Sequence, residues 1–185
     1  ANNKIICGIG ILNDCKYSAC MEGNCMELTV LRSPVYAHHN PYILDEEEDD
    51  YQFTDQGIQN FSYTIVPHLG SGREAHLVQR AEELNQPCVT VIETYHKGEY
   101  PQKAELLTVS RNNVVLSALK KAEKQDGYIL RFYETEGKEC QADICIHFLE
   151  KTIRAEFKPF EIKTFFVSRS VDSEPAEVNF MEWEK

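Results

Sequence analysis

The residues of this 185-residue chain that could do chemistry are its six histidines, seven cysteines and thirty carboxylates, and their spacing limits what each group could do. Cys15, Cys20 and Cys25 are evenly separated, which invites a metal reading. Structural zinc sites, however, bring cysteines in close pairs with a second ligand pair downstream. Cys7, Cys88, Cys140 and Cys145 supply no such pair, so the seven are read as reduced thiols with no metal site. His38 and His39 are adjacent, so in an extended chain they face opposite sides and cannot easily share one ion. His147 reads as a hydrogen-bonded surface histidine. His68 follows Pro67 at an expected strand end, where binding residues gather, and is a candidate for contact with a ligand or a partner domain. No G-x-S-x-G elbow and no phosphate-cradling glycine loop is present. The lone Gly8-Ile9-Gly10 is read as close strand packing. A glycosidase carboxylate pair is defined by a separation of about 5–9 Å in space, which spacing along the chain does not reveal.

The elements that must position these groups read mainly as strands. Period-2 alternation places Ala142, Ile144, Ile146 and Phe148 opposite Asp143, Cys145 and His147. A similar alternation runs over 160–167, and an Asp126-Gly127 turn signal precedes the aromatic run 127–133. Further strands are expected at 4–12, 25–32, 60–67, 88–95 and 113–120. Between Gly72 and Asn85, Ala75, Val78, Ala81 and Leu84 recur at helical spacing, with Ser71 as N-cap and Asn85-Gln86-Pro87 as the stop. Many strands and one helix predict an all-β sandwich with a single surface helix. The run Asp45-Glu46-Glu47-Glu48-Asp49-Asp50 lies in an aperiodic stretch, 33–57, and reads as a solvated acidic loop. The polar, Gly- and Pro-punctuated segment 96–104 reads as a junction between a unit at 1–100 and a second at 101–170, followed by an acidic tail at 171–185. Trp183 in that tail is expected to anchor the terminus, although exposed rings such as Trp183, Tyr36 and Tyr42 can also stack on sugars.

Composition narrows the function classes. A formal charge of −11 would be repelled by a phosphate backbone, so nucleic acid is not an expected partner. No apolar stretch approaches the roughly 20 residues that span a bilayer, and no basic stretch followed by an apolar run opens the sequence, so a secretory leader is not expected. With its reduced thiols the protein is expected to be cytoplasmic.

Three stretches, in order, carry a more specific signal. The first is Ile11-Leu12-Asn13-Asp14-Cys15-Lys16-Tyr17, then Gly23-Asn24 and Leu28-Thr29-Val30-Leu31-Arg32-Ser33-Pro34. The second is Phe61-Ser62-Tyr63-Thr64-Ile65-Val66-Pro67-His68, leading into Arg73-Glu74-Ala75 and Ala81-Glu82-Glu83-Leu84-Asn85-Gln86-Pro87. The third is Asn113-Val114-Val115-Leu116-Ser117-Ala118-Leu119-Lys120, then Leu130-Arg131-Phe132-Tyr133-Glu134 and Lys158-Pro159-Phe160-Glu161-Ile162-Lys163-Thr164. Together they closely resemble the carboxyl-terminal region of the glycoside hydrolase family 38 α-mannosidases of bacterial and cytosolic type. Two departures stand out: Ser18 replaces the glycine that usually follows Lys16-Tyr17, and the stretch between Phe148 and Lys158 is shorter than the family pattern.

The resemblance implies the end of a supersandwich of galactose-mutarotase-like type, then a small carboxyl-terminal β-sandwich. It also implies that catalysis belongs to an upstream β/α barrel, where zinc and a nucleophilic aspartate serve a retaining hydrolysis of terminal α-linked mannose. None of those catalytic or zinc residues has a counterpart here, so no catalytic residue, metal ligand or cofactor is assigned to this chain, which is expected to be inactive alone. The expected partners are the upstream barrel and helical domains of the same polypeptide and, for the whole protein, an oligosaccharide substrate. Substrate-rim or interdomain candidates are Asn13, Asp14, Lys16, Tyr17, Arg32 with the 33–45 loop, and His68. An apolar patch fitting the upstream domains is expected on the amino-terminal sheet, a surface that could also join two copies into a homo-oligomer. The alternative reading is a stand-alone carbohydrate-binding or protein-interaction sandwich.

Overall fold

The computed structural model describes residues 6–35 and 53–183. The acidic run 45–50, with Tyr36, His38, His39 and Tyr42, falls outside the described residues.

The fold is mainly antiparallel strands with one α-helix among the described residues, as an all-β sandwich requires. Towards the amino terminus, β1 (Cys7–Asn13) pairs with β4 (Tyr63–Leu69), and β2 (Ala19–Glu22) pairs with β3 (Cys25–Leu28) as a hairpin. The helix α1 (Leu77–Asn85) lies on β1. Gly8 and Gly10 make room for that layer: a Cβ on Gly10 would come within 2.7 Å of Leu77, and one on Gly8 within 2.6 Å of the His68 ring. The Gly-Ile-Gly is therefore strand packing, as its isolation from any helix start implies.

The later strands form a two-layer sandwich. One sheet runs in the order β11 (Ala176–Val178), β10 (Ile162–Ser168), β7 (Gly127–Glu134), β6 (Val114–Lys121). The other runs β5 (Leu107–Val109), β8 (Cys140–Ile146), β9 (Lys151–Phe157). Leu130, Phe132, Ala142, Ile144, Ile146, Phe157 and Val167 meet between the layers with no exposed surface. Alternate residues of each strand supply them, because successive side chains face opposite sides of a sheet. Each fully buried apolar side chain of this size contributes about 1.5–3 kcal/mol.

Several expectations need correction. Residues 88–95 form no strand here: Val89, Val91 and Ile92 are 91%, 76% and 94% exposed. Strand propensity is a preference for a half-buried pleated surface, and this run has no neighbouring strand among the described residues. Ser71 caps the turn before α1 and not α1 itself. Its N–H donates to Glu74 Oε2 at 2.7 Å and its Oγ accepts from the Glu74 N–H at 3.3 Å, a capping box. His76 then adopts a left-handed conformation, φ 51°, and α1 starts anew at Leu77. The short stretch before Lys158 still holds a strand, β9, with Ile153, Ala155 and Phe157 buried in alternation with exposed Thr152, Arg154 and Glu156, and β8 stops at Ile146 where residues 147–149 turn into a 3₁₀ helix. On β10 the core-facing set is Phe165 and Val167, while Phe160 and Ile162 are mostly exposed.

The stretch expected as a tail contributes β11, and its end covers the outer face of the four-stranded sheet. Arg131 stacks on Phe180 at 4.0 Å, Lys124 lies 4.9 Å from the centre of the Trp183 ring, and Glu182 accepts from the Glu123 N–H and from Lys120. Trp183 thus anchors the terminus.

Candidate functional site

The turn after β1 holds four of the sequence candidates, and their polar atoms bond within the turn and to the segment leading into β4. Asn13 Oδ1 accepts from the Lys16 N–H at 2.9 Å, and Asp14 Oδ1 accepts from the Ser62 N–H at 2.9 Å. Tyr17 OH donates to Asp14 O at 3.0 Å, and Lys16 Nζ donates to Gln59 Oε1 at 3.2 Å. The Ser62 N–H holds the Asp14 carboxyl below the usual carboxylate range, and the Cys15 thiol adds to this. That same contact pushes the Cys15 thiol up. Asn13 builds the turn by bonding a backbone N–H three residues on, whereas Asp14 ties the turn to the segment leading into β4.

His68 lies apart. It sits opposite Gly8, five residues along β1 from Asn13, which is about 17 Å at strand rise. Its ring covers the Gly8 backbone and its buried Nδ1 has no hydrogen-bond partner. Arg32 is exposed and forms no ion pair among the described residues; its carbonyl accepts from Thr54 Oγ1 at 3.4 Å. Geometry therefore gathers Asn13, Asp14, Lys16 and Tyr17 and leaves His68 at the other end of the ribbon.

Sequence reasoning missed two polar sites. Tyr133 OH donates to Glu82 Oε1 at 3.0 Å, tying α1 to β7. Burial, and then the Glu82 carboxylate, push the Tyr133 phenol up to about 12. Beside this tie, an open cleft of about 380 Å³ is lined by Arg73, His76, Gln79, Asn112, Thr135 and Glu136 among others. The second site is Glu134, 1% exposed, whose carboxylate accepts from the N–H groups of Glu136, Gly137, Lys138 and Phe160 and from Asn113 Nδ2, at 2.7–3.2 Å. Burial alone would raise its carboxyl. The Phe160 N–H, the Asn113 amide and the Glu136 and Gly137 N–H groups outweigh that and hold it low. The arrangement pins two turns, one of which holds Phe160 at φ 57°. No motif signals it, since its partners are backbone groups brought in by folding.

The largest unexplained feature is apolar. On β1 and β4, residues 8, 10 and 12 face α1 with their partners 68, 66 and 64, and the odd-numbered residues face the other way. On that other face Ile9 is 57%, Tyr63 58%, Ile65 55% and Leu69 73% exposed. The amino-terminal sheet thus carries the apolar patch expected of it. The hairpin β2–β3 adds Met21 and Met26, cross-strand partners, both exposed. All seven cysteines are free, five of them exposed. Among the described residues no three His, Cys, Asp or Glu side chains are grouped to hold a metal ion, and no helix is long and apolar enough to cross a membrane.

Comparison with known proteins agrees with the sandwich. Residues 113–165, essentially β6 to β10, match the glycosyl hydrolases family 38 C-terminal beta sandwich domain. Alpha-mannosidase 2C1 of Mus musculus is 31% identical over 134 residues, and that of Homo sapiens 31% over 136, in each case 70% of this chain and 11% of the relative. The alpha-mannosidase of Saccharomyces cerevisiae is 28% identical over 157 residues, 74% of this chain and 12% of that protein. The chain thus spans about a tenth of the length of the curated relatives it matches. No solved structure matches it.

Proposed function

For a chain that carries the family 38 carboxyl-terminal β-sandwich, we propose a non-catalytic role in an α-mannosidase, supporting domains that hydrolyse terminal α-linked mannose elsewhere in the polypeptide. The observation that carries this reading is the uncovered face of Ile9, Tyr63, Ile65 and Leu69, on a protein of charge −11 whose carboxyl-terminal strands close over a buried core. A contiguous apolar face of this kind marks an interaction surface. Its partner in this reading is the region preceding the chain in the same polypeptide. In this reading zinc chemistry and the retaining mechanism belong to that region. The turn of Asn13, Asp14, Lys16 and Tyr17 lies at one end of the same ribbon and is the part of this chain proposed to reach the substrate rim.

The test is Ile65→Asp, made both in the 185-residue chain and in the polypeptide of the complete reading frame. In the chain alone the charge replaces an exposed apolar group, so Tm holds. In the complete protein it enters an interface, and Tm and turnover of an aryl α-mannoside both fall. An unchanged complete protein, a reading frame that encodes nothing further, or mannoside turnover by the chain alone would each overturn the proposal.

A further inference from the structure

The β1–β4 ribbon has two outer edges, and they differ. Gly70 N–H donates to Ile6 O at 2.7 Å and Asp14 N–H to Ser62 O at 3.4 Å, so in this register the even-numbered residues bond across the pair. The N–H and C=O groups of odd-numbered residues therefore point outward. On β4 the outward positions include Pro67, which has no N–H and blunts that edge. On β1 they are Cys7, Ile9, Ile11 and Asn13, all able to donate, and no described strand pairs there. One outward group is engaged: Asn13 O accepts from Asn85 Nδ2 at 3.1 Å. That bond sets the end of α1 beside the end of β1.

Cys88-Val89-Thr90-Val91-Ile92-Glu93-Thr94-Tyr95 starts three residues after Asn85. It is a strand-type sequence of eight residues against the seven of β1, and its backbone makes no hydrogen bond to any described residue. Chain direction agrees as well. β4 ends at the Cys7 end of the ribbon, α1 returns to the Asn13 end, and a segment continuing from there along β1 runs antiparallel to it.

We propose that the outer edge of β1 is a docking edge for the chain's own segment 88–95, which closes onto it as a third strand. The ribbon then becomes a three-stranded sheet with α1 across one face. A two-stranded ribbon is marginal alone, and a third strand gives it independent stability. Either adjacent register sets a β-branched residue of the segment against Ile9 and another against Ile11: Ile92 and Thr90, or Val91 and Val89. Closure satisfies outward groups of β1, buries Val and Ile side chains that are now mostly exposed, and removes an edge open to aggregation. It leaves the face of Ile9, Ile65 and Leu69 in place, so it holds whether or not that face meets an upstream domain.

Residue-resolved amide exchange on the 185-residue chain tests this. In the closed form the Ile9 and Ile11 amides exchange at least about 100-fold slower than in an unstructured chain. Val91→Pro and, separately, Ile92→Pro are compared, because one of these adjacent N–H groups must face β1. At least one restores fast exchange at Ile9 and Ile11 while Gly8 and Gly10, bonded to β4, keep their protection. Fast exchange at Ile9 and Ile11 in the unaltered chain would overturn the proposal. So would protection that rises with protein concentration, which is a second copy, or protection that needs the preceding region of the polypeptide.

Discussion

Glu134→Gln probes how much of the carboxyl-terminal sandwich depends on one carboxylate. Oε1 accepts from Asn113 Nδ2 at 2.8 Å and the Glu136 N–H at 2.7 Å, and Oε2 from the N–H groups of Gly137, Lys138 and Phe160 at 2.7, 3.2 and 2.9 Å. A glutamine oxygen can keep the set of three, but its NH₂ then faces two donors and leaves both unpaired. Hydrogen bonds to a charged group contribute about 1.5–3 kcal/mol each, so losing two costs about 3–6 kcal/mol. That is a large share of the roughly 5–15 kcal/mol that holds a domain. Asn113→Ala removes one partner only and should cost about 1.5–3 kcal/mol. Urea unfolding at neutral pH measures both. The pH dependence has a defined sign. The folded carboxyl lies below its unfolded value of about 4.3, so its contribution is full above that value and disappears as pH falls through the folded one. The gap between wild type and Glu134→Gln should therefore narrow below about pH 4.3. A variant within 1 kcal/mol of wild type at neutral pH, or a gap constant with pH, would refute this account, with that threshold set by the roughly 1.5 kcal/mol floor for one charged bond.

Tyr133→Phe removes the hydroxyl that ties β7 to α1 and should cost about 1.5 kcal/mol, the low end for a charged partner since Glu82 retains access to water. Amides of 77–85 should then exchange faster while those of β7 and β8 do not; equal change in both would mean that the effect of the tie is not local to α1. Thiol titration of the native chain should show five fast cysteines and two slow ones, Cys140 and Cys145. Among the fast five, Cys15 should lag because its contact with Asp14 raises its thiol; fewer than five would reveal a disulfide or metal link.

Much of the molecule was legible from residue order because it rests on short-range periodicity. Ala142, Ile144 and Ile146 alternate and are fully buried, and the proline after Gln86 ends α1 where backbone sterics demand. The family resemblance rests on the same order of residues and was visible in the third segment, where residues 113–165 match the family's sandwich. Other features depend on what lies across the fold. Alternation cannot say whether a strand-type run such as 88–95 has a neighbour, since pairing is non-local. It does not show that the helix breaks at His76, nor that Glu134 is surrounded by donors from residues 113, 136–138 and 160. It does not say which odd-numbered side chains of β1 and β4 stay wet. The amino-acid order determines which groups alternate and where turns fall, through local sterics and the two-residue period. Only the tertiary structure decides which faces are covered and which buried polar atoms find partners, because burial and hydrogen bonding depend on residues far apart in the chain.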